Sequence, residues 1–223
     1  MRSRTIHFLV FAVLVTVRSS FAASAGRDAA YERLRDEERV TQLVEQVSDD
    51  IGKRRLDAAL KKAEAAVALA PGNSTALNAK GAALVELKRY DEAAKVLAAA
   101  VANDPQNFPA QFNQAEILSL QKKYAEAATE FTSLKSHFGD MPVLKYKIFL
   151  CDLLGGREDE AREALRDLRY PTDGVAWYFA HIADDLKAGR RAEAKKLLAA
   201  AQAIHGDATV TYRETLEDIG LLK

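Results

Sequence analysis

Five short segments of this 223-residue chain superimpose when the sequence is shifted by 34 positions. They are Leu56-Asp57-Ala58-Ala59, Tyr90-Asp91-Glu92-Ala93, Tyr124-Ala125-Glu126-Ala127, Glu158-Asp159-Glu160-Ala161 and Arg191-Ala192-Glu193-Ala194. Their closing alanines are separated by 34, 34, 34 and 33 residues. Four residues past each alanine stands Ala63, Leu97, Phe131, Leu165 or Leu198, and three further on Ala66, Ala100, Leu134, Leu168 or Ala201. Apolar residues at i, i+4 and i+7 line one side of an α-helix, so one helical face recurs five times. Turn residues precede four of these helices: Lys88-Arg89, Gln121-Lys122-Lys123, Gly155-Gly156-Arg157 and Ala188-Gly189-Arg190. Each unit is therefore a helix, a short turn and a second helix. A single hairpin of this size cannot bury its apolar stripe, so the units must stack on one another. The composition agrees, with five Pro and eleven Gly in the whole chain and an abundance of strong helix formers.

The best copy is 74–107, which carries Leu77, Gly81, Leu84, Tyr90, Ala93, Leu97, Ala100 and Pro105; 108–141 follows with Ala115, Leu118, Tyr124, Ala127 and Phe131. On these positions the sequence resembles a tetratricopeptide-repeat (TPR) array. The resemblance implies an all-α fold, an α-solenoid of about five helix-turn-helix repeats (40–73, 74–107, 108–141, 142–174 and 175–207). Residues 208–223 form a C-terminal capping helix, with Asp207 as its candidate N-cap. The copies at 40–73, 142–174 and 175–207 depart from the pattern: Val47, Phe149 and Ile182 stand where the family has a small residue, which bears on how closely the paired helices approach.

In such arrays the first helix of each hairpin lines a concave groove. The resemblance places Asn78 and Val85 from the second repeat there, Phe112 and Glu116 from the third, Tyr146 and Leu150 from the fourth, and Phe179 from the fifth. Aromatic anchors of this kind commonly dominate recognition energy. An aromatic residue on a helix equally suits a core, and periodicity leaves both readings open for Phe112, Tyr146 and Phe179. Chaperone-tail-binding members hold a terminal carboxylate with a set of Lys, Asn and Arg. Here Asn113 matches that set and Lys147 is a conservative partner, whereas Asn78, Ala82 and Val143 replace the rest, so a carboxylate clamp is not implied.

Residues 1–25 read as a secretory signal peptide: Arg2 and Arg4 precede an apolar stretch from Ile6 to Val17, and small residues follow. Cleavage after Ala22 or after Ala25 satisfies the small-x-small rule. An apolar run of this length is short of the roughly 20 residues a transmembrane helix needs. Loss of the segment removes Arg2, Arg4 and Arg18 from the 32 basic residues and none of the 32 acidic ones. The expected location is the periplasm or the exterior, with membrane contact only if the segment is retained. Residues 26–39 alternate acids and bases at helical spacing and form a charged helical lead-in.

Equal numbers of acids and bases leave none of the basic footprint of a nucleic-acid binder. The single Cys151, within an apolar run, excludes an intrachain disulfide and reads as a small buried hydrophobe. His137, His181 and His205 fall in three different repeats and none has a second His at metal-ligand spacing. His181 shares a helical face with Asp184 and Asp185, which suits a surface contact better than a base with its orienting acid. No phosphate loop or nucleophile elbow is present. The expectation is a non-enzymatic interaction module or scaffold, without cofactor, metal or evident small-molecule substrate. Its partner would be another protein or peptide of the cell envelope. A self-assembling structural protein is the alternative, and an enzyme assembled across repeats a third reading.

Overall fold

The computed structural model describes residues 31–222; the expected signal segment lies outside them. The described residues form a succession of helices in two units, residues 31–89 and 90–222.

The first unit holds α1 (31–52), α2 (Leu56–Leu69) and α3 (Ser74–Glu86). Residues 31–39 are helical and exposed, and they run directly into the first apolar stripe. That stripe is Val40 and Val47, both buried, flanked by half-buried Leu43 and Val44; Val40 packs with Ala66 of α2 and Ala76 of α3. Asn73 starts α3 by accepting from the Ala76 N–H at 2.9 Å.

The second unit holds α4 (Tyr90–Asn103), α5 (Phe108–Leu120), α6 (Tyr124–Phe138), α7 (Pro142–Leu154), α8 (Glu158–Asp167), α9 (Gly174–Lys187), α10 (Arg191–His205) and, after a 3-10 turn at Gly206–Thr209, α11 (Val210–Asp218). Asn107, one period after Asn73, caps α5 through the Ala110 N–H at 3.0 Å. From α4 to α10 helices adjacent in sequence pack on one another, α7 also packs directly on α9, and α11 packs on α9 rather than on α10. One core joins α5, α6 and α7 around Phe131, Leu134, Leu144 and Ala115. A second runs from α7 to α11 around Phe149, Phe179, Ile182 and Leu216. Val47, Phe149 and Ile182 are each buried at 2% exposure or less, so the large residues in the divergent copies are absorbed by the core.

The turn inside every hairpin is one backbone structure repeated. Arg54, Lys88, Lys122, Gly156 and Gly189, spaced by 34, 34, 34 and 33, all have positive φ, between 57° and 77°. The next residue closes the turn through its N–H: Arg55 to Asp50 O, Arg89 to Leu84 O, Lys123 to Leu118 O, Arg157 to Asp152 O and Arg190 to Asp185 O, at 2.7–2.9 Å. This is the six-to-one bond of a Schellman closure, which satisfies a carbonyl the helix end leaves free.

Two sequence expectations need correction. Asp207 does not cap the last helix: it falls within the 3-10 turn, and α11 begins after Thr209 without a side-chain cap. The second helix of the fourth repeat is also short, ending at Asp167. The chain from Leu168 to Asp173 is held by Lys145 of α7, a buried lysine that helical patterning did not single out. Its Nζ lies 3.2 Å from the Asp173 carboxylate, 2.9 Å from Asp140 and 3.2 Å from the Asp167 carbonyl.

Candidate functional site

The seven residues expected in the groove fall on four helices. Asn78 and Val85 lie on α3, in the first unit, and both are half-buried. The other five lie in the second unit on α5, α7 and α9, the first helices of three successive hairpins.

Phe112 is half-buried and belongs largely to the packing between α5 and α6. Its ring is 5.3 Å from Phe131 and 5.8 Å from Phe108, distances at which aromatic rings attract one another. Glu116, one turn on, carries an ion pair to Lys147 of α7 at 2.8 Å. Lys147 is 8% exposed, so this pair is shielded from water and ties the two first helices together.

Tyr146, Leu150 and Phe179 correct the expectation of an open groove: they are 1%, 3% and 0% exposed. They lie in the core that runs from α7 to α11, and α11 contributes to it from a position the repeat pattern does not specify. Tyr212 of α11 stacks 5.0 Å from Tyr146 and 5.5 Å from Phe179, reaching helices of two different hairpins. Leu216, one turn later, is fully buried in the same cluster as Leu150. The chain's own last helix lies against Tyr146 and Phe179.

Two polar atoms of these first helices are unmatched. The Tyr146 hydroxyl and Glu116 Oε2 are both buried without a hydrogen-bond partner. Burial, then the neighbouring Tyr212 and the Glu116 carboxylate, push the Tyr146 phenol well above its ordinary pKa.

The residues considered for chemistry have structural occupations. Cys151 is buried, its Sγ 3.9 Å from Ser119 Oγ, and burial pushes its thiol up to about 12, far from a thiolate at neutral pH. His181 stacks 4.3 Å from Trp177, while Asp184 and Asp185 both bind Arg190, at 2.6 and 2.7 Å. Burial lowers the His181 pKa, opposed in part by the two carboxylates. Among the described residues, no group of three or more His, Cys, Asp or Glu side chains is placed to hold a metal ion.

A different carboxylate pattern was missed by helical patterning. Asp50, Asp152 and Asp185 occupy the same place in the first, fourth and fifth repeats, where the second and third have Leu84 and Leu118. Each aspartate grips the arginine five residues on: Arg55 at 2.7 Å, Arg190 at 2.7 Å, and Arg157 in direct contact. The pair spans the Schellman closure and stands where an apolar contact commonly accompanies it. The recurrence of Asp-x4-Arg at the repeat spacing was the available signal.

These observations define a class, an α-solenoid of helical hairpins closed by identical turns. A tetratricopeptide-repeat family model matches residues 44–108 and 89–136. Among solved structures the chain is similar to PilF of Pseudomonas aeruginosa, at 16% identity and a TM-score of 0.59, over 83% of this chain and 93% of that one. It is similar also to a putative kinesin light chain of Podosopora anserina with nearly identical TPR-like repeats, at 17% identity and a TM-score of 0.58, over 76% and 96%. MamA from Desulfovibrio magneticus RS-1 (41-end) is similar at 13% identity and a TM-score of 0.56, over 74% and 94%. At these identities the likeness is one of fold. No curated protein matches the sequence significantly. Residues 44–136 match the tetratricopeptide-repeat family, and the fold of the described residues is that of a TPR solenoid, which supports a protein–protein interaction module.

Proposed function

We propose that this protein is exported and works as a non-enzymatic scaffold, holding a helix or extended segment of an envelope protein against the face of α5, α7 and α9. The observation that carries the reading is the seating of α11. That face already accepts a short amphipathic helix, through an aromatic contact to Tyr146 and Phe179 and a buried leucine. Helix-in-groove recognition uses the same elements, apolar anchors about one turn apart inserted between helices. Export is supported by the sequence alone: Arg2 and Arg4, the apolar run from Ile6 to Val17 and the small residues up to Ala25.

Two measurements test this. Cell fractionation with N-terminal sequencing of the product should recover the protein outside the cytoplasm, beginning at Ala23 or Gly26; a cytoplasmic chain that keeps Met1 would refute export. Affinity capture from envelope extract should enrich defined proteins with the wild type and lose them with Leu153→Asp, a half-buried position on the same cluster, at unchanged helix content. Capture that survives Leu153→Asp would move the binding site off this face.

A further inference from the structure

We infer that α11 is a resident, displaceable ligand of the α7–α9 face, and that the face is built for a partner's amphipathic helix bearing an aromatic and an aliphatic residue one turn apart. The inference rests on the reading of this face as a binding surface and adds its occupant and its control.

Three observations carry it. First, α11 is weakly anchored compared with the helix it packs on. Of its nine residues, Leu216 is the one that is buried, whereas α9 buries six of fourteen. A segment with few buried apolar groups opens at a lower free energy than the body it lies on. A nine-residue helix is also marginal by itself in water, so once undocked it would unfold and clear the site.

Second, α11 reaches across hairpins. Tyr212 contacts both Phe179 of the fifth repeat and Tyr146 of the fourth, so the helix lies over the inner face and does more than cover the end of the stack. Its C-terminus closes as those of the first helices do: Gly220 has φ 73° and the Leu221 N–H returns to Leu216 O at 2.9 Å. Leu216 and Leu221 supply the apolar pair that accompanies such a closure.

Third, α11 is an imperfect occupant. With Tyr212 stacked on its ring, the Tyr146 hydroxyl is buried without a partner. A buried polar group without a hydrogen bond forfeits its hydration and receives nothing in exchange. A competing helix that presents an N–H or ammonium donor to this hydroxyl gains what α11 lacks. Competition against a tethered occupant lowers apparent affinity by the fraction of time the site is free, so partners that cannot displace α11 are rejected.

The test uses the full chain and two readouts. Amide hydrogen exchange should show 210–219 exchanging well before α9 and α10. Tyr146→Phe, which deletes the unmatched hydroxyl, should slow exchange in α11 about tenfold relative to wild type. The probe is a fluorescein-labelled peptide of residues 207–222. It should bind the wild type weakly and the Tyr212→Ala chain at least tenfold more tightly, with Leu216→Ala as the second release variant.

If α11 exchanges only with global unfolding, or if the peptide binds wild type and both variants equally, α11 guards nothing and the inference falls while the binding face stands. If α11 opens early but the peptide binds none of the chains, the binding face itself fails, and the inference with it. Light scattering on the same samples decides the remaining case: a dimer that forms by exchanging α11 between copies would make a second copy the occupant and overturn a heterologous partner.

Discussion

At the residue scale, the Asp–Arg brace is one motif with two electrostatic outcomes. Asp50 is served by Arg55 and also by Lys62 at 2.7 Å; these bonds, Lys62 first, hold its carboxyl below its ordinary pKa. Asp152 has Arg157 alone and Glu160 nearby, and burial raises its pKa. The brace therefore favours folding in the first repeat, while in the fourth the charged carboxylate costs more than its partner returns. Asp152→Leu, which installs the residue found at Leu84 and Leu118, should stabilise the protein by about 1 kcal/mol, since replacing a buried ion pair with a packed apolar residue is often neutral or favourable. Asp50→Asn should instead lower the melting temperature. Thermal denaturation of the two variants beside the wild type checks both signs. The same scale offers a backbone test. Lys122 has φ 63°, a conformation that costs an L-residue about 1–2 kcal/mol and glycine nothing. Lys122→Gly should stabilise by about 0.5–1 kcal/mol after the greater freedom of the unfolded glycine is subtracted, measured by urea titration.

At the element scale, α11 is where sequence and structure part. Helix positions, turn positions and the apolar face were legible, because each depends on residues within one period. Tyr146, Leu150 and Phe179, which the resemblance assigns to a groove, are core residues of α7 and α9. What covers them was not legible: contact between Tyr212 and Tyr146 joins residues 66 apart in sequence, and no periodicity encodes it. Lys145 is a related case, since a lysine inside a helix normally reads as solvated, and while Asp140 is local, its buried partner Asp173 arrives only when the chain after α8 folds back. Leu216→Ala should cost the docked helix about 2–4 kcal/mol. Because few other residues hold α11, the loss should appear as release of 210–219, seen by hydrogen exchange, while α9 and α10 keep their protection.

At the scale of the whole molecule, charge pairing predicts stability limits at both ends of the pH range. Asp49, Asp50 and Asp140 have pKa values lowered from 3.8, chiefly by bonds to Lys53, Lys62 and Lys145 respectively. Their contribution is complete above the unfolded value and is lost as pH falls through the lower folded values. Asp152, shifted the other way, offsets part of that loss. Burial draws the Lys135 and Lys145 ammonium groups down, but their carboxylate partners more than compensate, and both pKa values rise from 10.5. That contribution is complete below the unfolded value and is lost as pH rises through the folded ones. Burial holds the His181 pKa below 6.5, so stability also falls as pH drops through that unfolded value; urea midpoints should therefore be highest from about pH 7 to 9 and decline on either side.

The common turn has a further consequence. Five hairpins close through the same backbone bond at the same φ, although the residue at the bend is Arg, Lys or Gly and the braced pair is Asp–Arg or begins with Leu. The joint is thus indifferent to which hairpin it serves. Whole hairpins cut at their inter-repeat loops, such as 108–141, are natural cassettes for duplication or exchange: lengthening the array by such a unit adds binding face in increments of one helix without requiring a new way to turn the chain.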